Sequence, residues 1–272
     1  MQEDIRFNPE ELKRRFNPEG SLIRRHQLKM LKMVKVLDKI CKKHDIPYFL
    51  YGGTLLGAIR HNGFIPWDDD LDVALRRKDY LRLMKVLPHE LPDHIALQTN
   101  KTDKNYFYFF AKLRDQHSLL EEECPFDRVF KERGVYIDIF PFCRQRLWTH
   151  LLAEPIQGHC FKIFRTAKNQ RTAISKIRLI TKFNRSILFP ILRFISRITF
   201  GKTFTYDYGI PFHIVYDEKD IFPLSEHLFE DILLPIPGNS DRMLQTQYGD
   251  YMQLPDLNSL QGHVSKLEFY GD

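Results

Sequence analysis

No stretch of this chain approaches the roughly 20 apolar residues that a membrane-spanning helix needs; the run Ile187–Leu192, for instance, is stopped by Arg193. Cysteine is scarce. Cys41, Cys124, Cys143 and Cys160 lie far apart with no C-x-x-C pair, which argues against a disulfide framework or a zinc ribbon and for reduced thiols in a cytoplasm. Glycine and proline number only 13 and 15 in 272 residues, too few for a collagen-like or low-complexity chain. The opening MQEDIRFNPEELKRR is polar and mixed in charge, so it does not read as a secretory signal. What remains is 43% hydrophobic and 28% charged. Such a chain can bury a core, and its length suits one large domain or one domain carrying a sizeable insertion.

The net charge of +6 hides an asymmetry. Residues 144–202 hold thirteen Lys or Arg and one acid, Glu154, a balance of +12, which leaves −6 on the rest. A basic element with its own partner, attached to an acidic body, is the expected organisation. We therefore expect a catalytic core over 1–143, a basic amphipathic helical insertion over 144–203, and a C-terminal part over 204–272 that completes the core.

Along the chain, Asn8-Pro9 and Asn17-Pro18 suggest an irregular start. Ile23, Met30, Val34, Leu37 and Cys41 share one face of a helix spanning about Ser21 to His44. Tyr48–Tyr51 reads as a short buried strand, stopped by Gly52-Gly53, with a short helix over Thr54–Arg60. Asp70–Leu75 alternates as a strand, with Leu71 and Val73 on one face and Asp70 and Asp72 on the other. Tyr80, Leu83, Met84 and Leu87 form a helical stripe. Further strands are expected near Ile95–Gln98, Tyr106–Leu113, Gly134–Phe140 and Leu233–Pro237, and a last helix capped by Asn239 or Ser240 ends near Gly249. The fold class is α/β, a mixed sheet flanked by helices.

The sharpest feature is WDDDLD, Trp67–Asp72, with four carboxylates in five residues. Neighbouring charges about 4 Å apart repel by roughly 4 kcal/mol at an effective dielectric of about 20. A fold tolerates this in water or around cations. The alternation with Leu71, Val73 and Leu75 argues against a purely solvated loop, and an EF-hand calcium site lacks its spacing and central glycine. Asp70 and Asp72, at i and i+2, would hold a hard cation between them. Asp138, among Tyr136, Ile137, Ile139 and Phe140, needs a partner because an unpaired buried charge is costly. Gly52-Gly53-Thr54 lets backbone approach a ligand and opens a helix whose N–H groups suit phosphate.

Together these pieces resemble the nucleotidyltransferase superfamily: an apolar-Gly-Gly turn, Asp70-Leu71-Asp72 on one strand, Ile137-Asp138-Ile139 on another. The run from Tyr51 to Leu75, GGTLLGAIRHNGFIPWDDDLDVAL after its tyrosine, resembles the LicD family of phosphotransferases, to which the fukutin-related proteins belong. Lys112-Leu-Arg-Asp115, Gly134–Pro141, Tyr248–Met252 and Leu254-Pro255 agree with it; Gln116-His117-Ser118 departs from a usually threonine-rich stretch. The resemblance implies metal-dependent transfer of a phosphorylated alcohol, phosphocholine first, from a CDP-activated donor to a sugar hydroxyl. The acceptor would be a cell-surface glycan such as lipopolysaccharide or teichoic acid, or its lipid-linked precursor. It implies Asp70, Asp72 and Asp138 as catalytic and metal-holding residues, with Mg²⁺ or alternatively Mn²⁺. Gly52, Gly53 and Thr54 would cradle phosphate, with Arg60, Lys112, Arg114 and His263 as further substrate-binding candidates. Trp67 and the aromatics of Tyr106–Phe110 are candidates to face a quaternary ammonium. A nucleotidyltransferase releasing pyrophosphate would use the same three aspartates, and a non-catalytic membrane adaptor on the same fold is the rival from another class.

The insertion mixes Lys and Arg with Phe, Ile and Leu. That alternation favours an anionic membrane surface over nucleic acid. The expected location is cytoplasmic, peripheral at the inner face of the cytoplasmic membrane.

Overall fold

A computed structural model describes residues 8–122, 128–258, 260 and 264–270. The chain opens with α1 (Pro9–Phe16) and α2 (Leu22–Lys43), then β1 (Phe49–Leu50), α3 (Gly52–His61), β2 (Asp72–Arg76) and α4 (Arg77–Glu90). Three strands follow, β3 (Ile95–Gln98), β4 (Ala111–Asp115) and β5 (Ser118–Glu122), and then the long β6 (Tyr136–Gln145). Next come α5 (Leu147–Ala153), α6 (Pro155–Thr166), α7 (Gln170–Phe183), a π-helical turn (Asn184–Leu188) and α8 (Phe189–Ile198). The chain finishes with β7 (Thr203–Tyr206), α9 (Glu218–Ile221), β8 (Ser225–Phe229), β9 (Ile232–Ile236), α10 (Ser240–Tyr248) and β10 (Val264–Phe269).

The main sheet has the order β1-β2-β6-β4-β3, with β7 also paired to β6. Only β2 and β6 run parallel, so the sheet is mixed as expected. β6 serves two neighbours on one edge: Tyr136–Ile139 pair with β4, and Phe142–Gln145 pair with β7. Registered partners Gln145 and Thr203 therefore bracket the basic helices, which leave the sheet and return to it at one place. Alternate residues Val73, Ile137 and Ile139 are fully buried; α4 packs against β2 and β6, and α2 against β6.

Local signals explain several helix ends. Ser21 accepts from Arg24 N at 3.3 Å to open α2, and Asn239 accepts from Arg242 N at 3.1 Å to open α10, which stops before Gly249. The start differs from expectation. Asn8-Pro9 is not a turn but the cap and first residue of α1, with the Asn8 side chain accepting from the N–H groups of Glu10 and Glu11. The strand expected from Tyr106 begins only at Ala111, because the aromatic run 106–110 is buried as irregular chain. The helix expected from Thr54 starts two residues earlier, at Gly52.

Candidate active site

The two glycines are explained by what they face. Gly52 has φ +59°, and a Cβ there would lie 3.0 Å from Asp72 Oδ2. At Gly53 a Cβ would lie 2.8 Å from Asp68 Oδ2 and 3.9 Å from Asp70 Oδ1. The first turn of α3 thus sits directly on the acidic run, and only glycine permits the approach. Backbone bonds fix the arrangement: Tyr51 N donates to Asp72 O at 3.1 Å, and Asp138 N donates to Leu71 O at 2.9 Å. Thr54 Oγ1 accepts from Asp72 N at 2.8 Å, so Thr54 anchors the start of β2.

Register does the rest. Asp72 pairs with Asp138 across the parallel β2–β6 ladder, and Asp138 pairs with Lys112 across the β6–β4 ladder. Three side chains remote in sequence thereby stand in one row, about 5 Å apart strand to strand. Lys112 Nζ lies 2.8 Å from Asp138 Oδ1 and 3.0 Å from Oδ2, and 3.3 Å above the Tyr136 ring. Lys112 is the partner that the strand aspartate required.

Asp68, Asp70, Asp72 and Asp138 line one cavity of about 610 Å³ together with Gly52 and Gly53. Burial pushes the Asp72 carboxyl well up from its ordinary value, as do the carboxylates of Asp70, Asp138 and Asp68, against the opposing pull of Lys112. Burial, Asp70 and Asp69 push Asp68 up in the same way. Burial and the charges of Asp72, Asp68 and Asp70 raise the Tyr248 phenol, which faces the same space. The cavity is a concentration of negative charge.

Its other walls are aromatic. Phe212 meets Tyr206 at 5.4 Å between ring centroids, Tyr206 meets Phe140 at 5.5 Å, Phe140 meets Phe110 at 4.6 Å, and Phe110 meets Tyr108 at 5.2 Å. Phe161 and Gln157, from α6 of the basic insertion, also line it. Gln157 is 2% exposed, and its Oε1 has no hydrogen-bond partner among the described residues.

The remaining sequence candidates lie elsewhere. Arg60 Nη1 donates to Tyr251 O at 2.8 Å and Gln253 O at 3.3 Å, and its Nε donates to His61 at 3.0 Å. Arg114 donates to Gln98 and to Gly134 O, each at 2.9 Å. Both stand outside the cavity lining. Trp67 packs edge-on to Phe16 and His61, and Tyr106 and Phe107 belong to a separate core cluster. His263 lies outside the described residues. Sequence reasoning did not single out Tyr248, Tyr206, Phe212, Gln157 or Phe161. Tyr248 sits in the Tyr248–Met252 segment that carries the resemblance, so a signal existed for it; for Gln157 and Phe161 there was none.

Among the described residues, no three His, Cys, Asp or Glu side chains are gathered closely enough to hold a metal ion as they stand. The donor chemistry nevertheless fits one. The oxygens are hard ligands, their crowding raises two of the carboxyls, and the space between them is open to phosphate oxygens and water, which Mg²⁺ prefers as co-ligands.

Comparison with known proteins identifies relatives of the chain. The family described as LicD/FKTN/FKRP, nucleotidyltransferase domain, matches residues 45–202. Over 253 residues the chain is 28% identical to the lipopolysaccharide cholinephosphotransferase LicD of Haemophilus influenzae, covering 86% of this chain and 92% of that one. A shorter likeness, 41% over 61 residues, relates it to an uncharacterised protein of Rickettsia prowazekii, covering 22% of this chain and 23% of that one. A counterpart from Rickettsia typhi is 39% identical over 61 residues, covering 22% of this chain and 20% of that one.

Proposed function

The chain belongs to the LicD/FKTN/FKRP nucleotidyltransferase-domain family, and from that premise we propose that it transfers phosphocholine from CDP-choline to a hydroxyl of lipopolysaccharide or a comparable surface glycan. That it is a phosphotransferase follows from the family and from its likeness to a cholinephosphotransferase along most of its length. The observation that carries the finer reading is the pairing, in one cavity, of a carboxylate row with a continuous aromatic wall. A quaternary ammonium has no hydrogen to donate and is held by aromatic faces. The phosphates of the same donor need cations, and these carboxylates are suited to bind them.

In this reading the acceptor oxygen attacks the phosphorus that bears choline. The bond to the bridging oxygen breaks, and CMP leaves with the electron pair. Asp70, Asp72 and Asp138 would hold a divalent ion, Mg²⁺ or alternatively Mn²⁺, which when bound supplies Lewis-acid neutralisation of the pyrophosphate. Asp138, aimed by Lys112, would orient the acceptor hydroxyl and take its proton as the new O–P bond forms. The N–H groups at the start of α3 would face the phosphates from beside the Asp68 and Asp72 carboxylates that the two glycines admit. Tyr206, Phe140 and Phe110 exclude water beside the headgroup.

A panel of CDP-choline, CDP-ethanolamine and CDP-ribitol with Mg²⁺ and glycan acceptor, followed by CMP release, tests this. Preference for CDP-choline, weakened by Phe140→Leu, is expected. Release of pyrophosphate from CTP, with no CMP from any CDP-alcohol, would replace the proposal with the nucleotidyltransferase alternative.

A further inference from the structure

Twenty large apolar side chains are exposed among the described residues, and eleven of them fall within residues 147–200. Their placement is ordered. Along α7, the π turn and α8, the exposed positions are Leu179, Phe183, Ile187, Ile191, Phe194 and Ile198, spaced by four, four, four, three and four residues. That spacing is one continuous helical face. The opposite face is spent on the body, through Ile177, Thr181, Asn184, Phe189, Leu192 and Ser196. Helix α5 repeats the division, with Leu147, Trp148, Leu151 and Leu152 exposed and Thr149, His150 and Ala153 buried.

The inner faces of α5 and α8 meet directly, with Thr149 Oγ1 2.9 Å from Ser196 Oγ, and both reach one further residue. Tyr208 Oη lies 2.8 Å from Thr149 Oγ1 and 2.8 Å from Ser196 Oγ. Both helices therefore turn their apolar faces away from the body around a shared anchor. An exposed apolar surface of this extent marks an interaction site. Its charge indicates the partner. Residues 144–202 carry thirteen Lys or Arg against one acid, and Lys176, Lys182, Arg197 and Lys202 are exposed beside the apolar positions.

We infer that the outward faces of α5, α7 and α8 form a docking surface for an anionic lipid bilayer. Aliphatic side chains enter the acyl boundary while the long stems of Lys and Arg carry their charges to the headgroups. Each cation near the lipid raises affinity roughly fivefold. Nucleic acid fits less well, since seven of the eleven exposed side chains are Leu or Ile, which offer no stacking face to a base, against four aromatic ones. The surface also adjoins the cavity. His150 Nε2 donates to Phe212 O at 2.7 Å, so α5 holds the loop whose Phe212 lines the cavity and is 48% exposed. This deepens the proposed function, on which it rests for its meaning: an acceptor anchored in lipid would be presented at the cavity mouth.

Flotation of the full chain with vesicles of phosphatidylcholine, with and without phosphatidylglycerol, tests the inference. Binding to the mixed vesicles alone is expected. Ile191→Ser/Phe194→Ser/Ile198→Ser should weaken it by roughly tenfold or more, and Lys176→Glu/Lys182→Glu/Arg197→Glu should abolish it. Both variants alter exposed residues, so they should melt as the parent does and keep CMP release on a soluble acceptor. The inference is overturned if the parent ignores mixed vesicles, if the triple serine variant floats equally well, or if only an RNA oligonucleotide binds and the glutamate variant loses that. Flotation with no CMP release from any donor would support the surface while counting against the phosphotransfer reading.

Discussion

Replacing Lys112 with methionine removes the ammonium that lies 2.8 and 3.0 Å from the oxygens of Asp138. Lys112 is 5% exposed and Asp138 8%. The variant keeps the length and apolar stem of the side chain, so what is lost is the charge and its bonds. Stranding one partner of a buried ion pair costs about 3–5 kcal/mol. For a chain of this size each kcal/mol lowers the melting temperature by about 2–4 °C, giving a fall of roughly 6–20 °C. Because Asp138 borders an open cavity, water relieves part of the cost, and the lower half of that range is expected. The assay is thermal denaturation of Lys112→Met, Asp138→Asn and the double variant. The double variant should recover most of the loss, since no charge is then stranded. An unchanged melting temperature in Lys112→Met, or a loss that Asp138→Asn leaves untouched, would refute the ion-pair reasoning.

Other outcomes follow from the same geometry. Gly52→Ala places a methyl group 3.0 Å from Asp72 Oδ2 at a backbone φ of +59°; the backbone alone costs about 1–2 kcal/mol, and turnover should fall more steeply than stability as Asp72 is displaced. Gln157→Met loses no protein bond at Oε1 and keeps the buried volume, so melting should stay near the parent while KM for donor or acceptor rises roughly tenfold. His26 titrates at about 4 and His61 at about 3 because burial disfavours their charged forms. The unfolded chain takes up these protons first, so stability should fall as pH drops from about 6.5 towards 4; for His26 the loss is at most on the order of 3 kcal/mol. Urea unfolding of the parent and His26→Gln across that interval checks it, the variant showing the shallower dependence.

What could be read along the chain was what is encoded locally. Helix α2 from about Ser21, helix α10 with Asn239 and Gly249, and the alternation around Asp72 and Asp138 were all encoded in local patterns. The choice of Asp70, Asp72 and Asp138 rested on that alternation together with the motif resemblance, and all three line one cavity. Register was not legible, because the ladder that sets Lys112 against Asp138 and Asp138 against Asp72 joins three separated segments. Arg60 and Arg114 illustrate the same boundary: a cation beside a motif looks available to phosphate, and only the folded chain shows it committed to carbonyls. The run Tyr106–Phe110 mimicked a strand because apolar residues bury equally well in irregular chain. Helix α6 was hidden most deeply. Composition set the insertion apart as a basic unit with its own partner, yet Gln157 and Phe161 reach into the cavity.

The most direct test follows CMP release from CDP-choline, with glycan acceptor, by the parent and by Asp72→Asn, each with Mg²⁺ and with chelator. Turnover by the parent only with the metal is expected, with a loss of at least about 100-fold in Asp72→Asn. Equal turnover by the two proteins, or turnover unaffected by the chelator, would contradict that expectation.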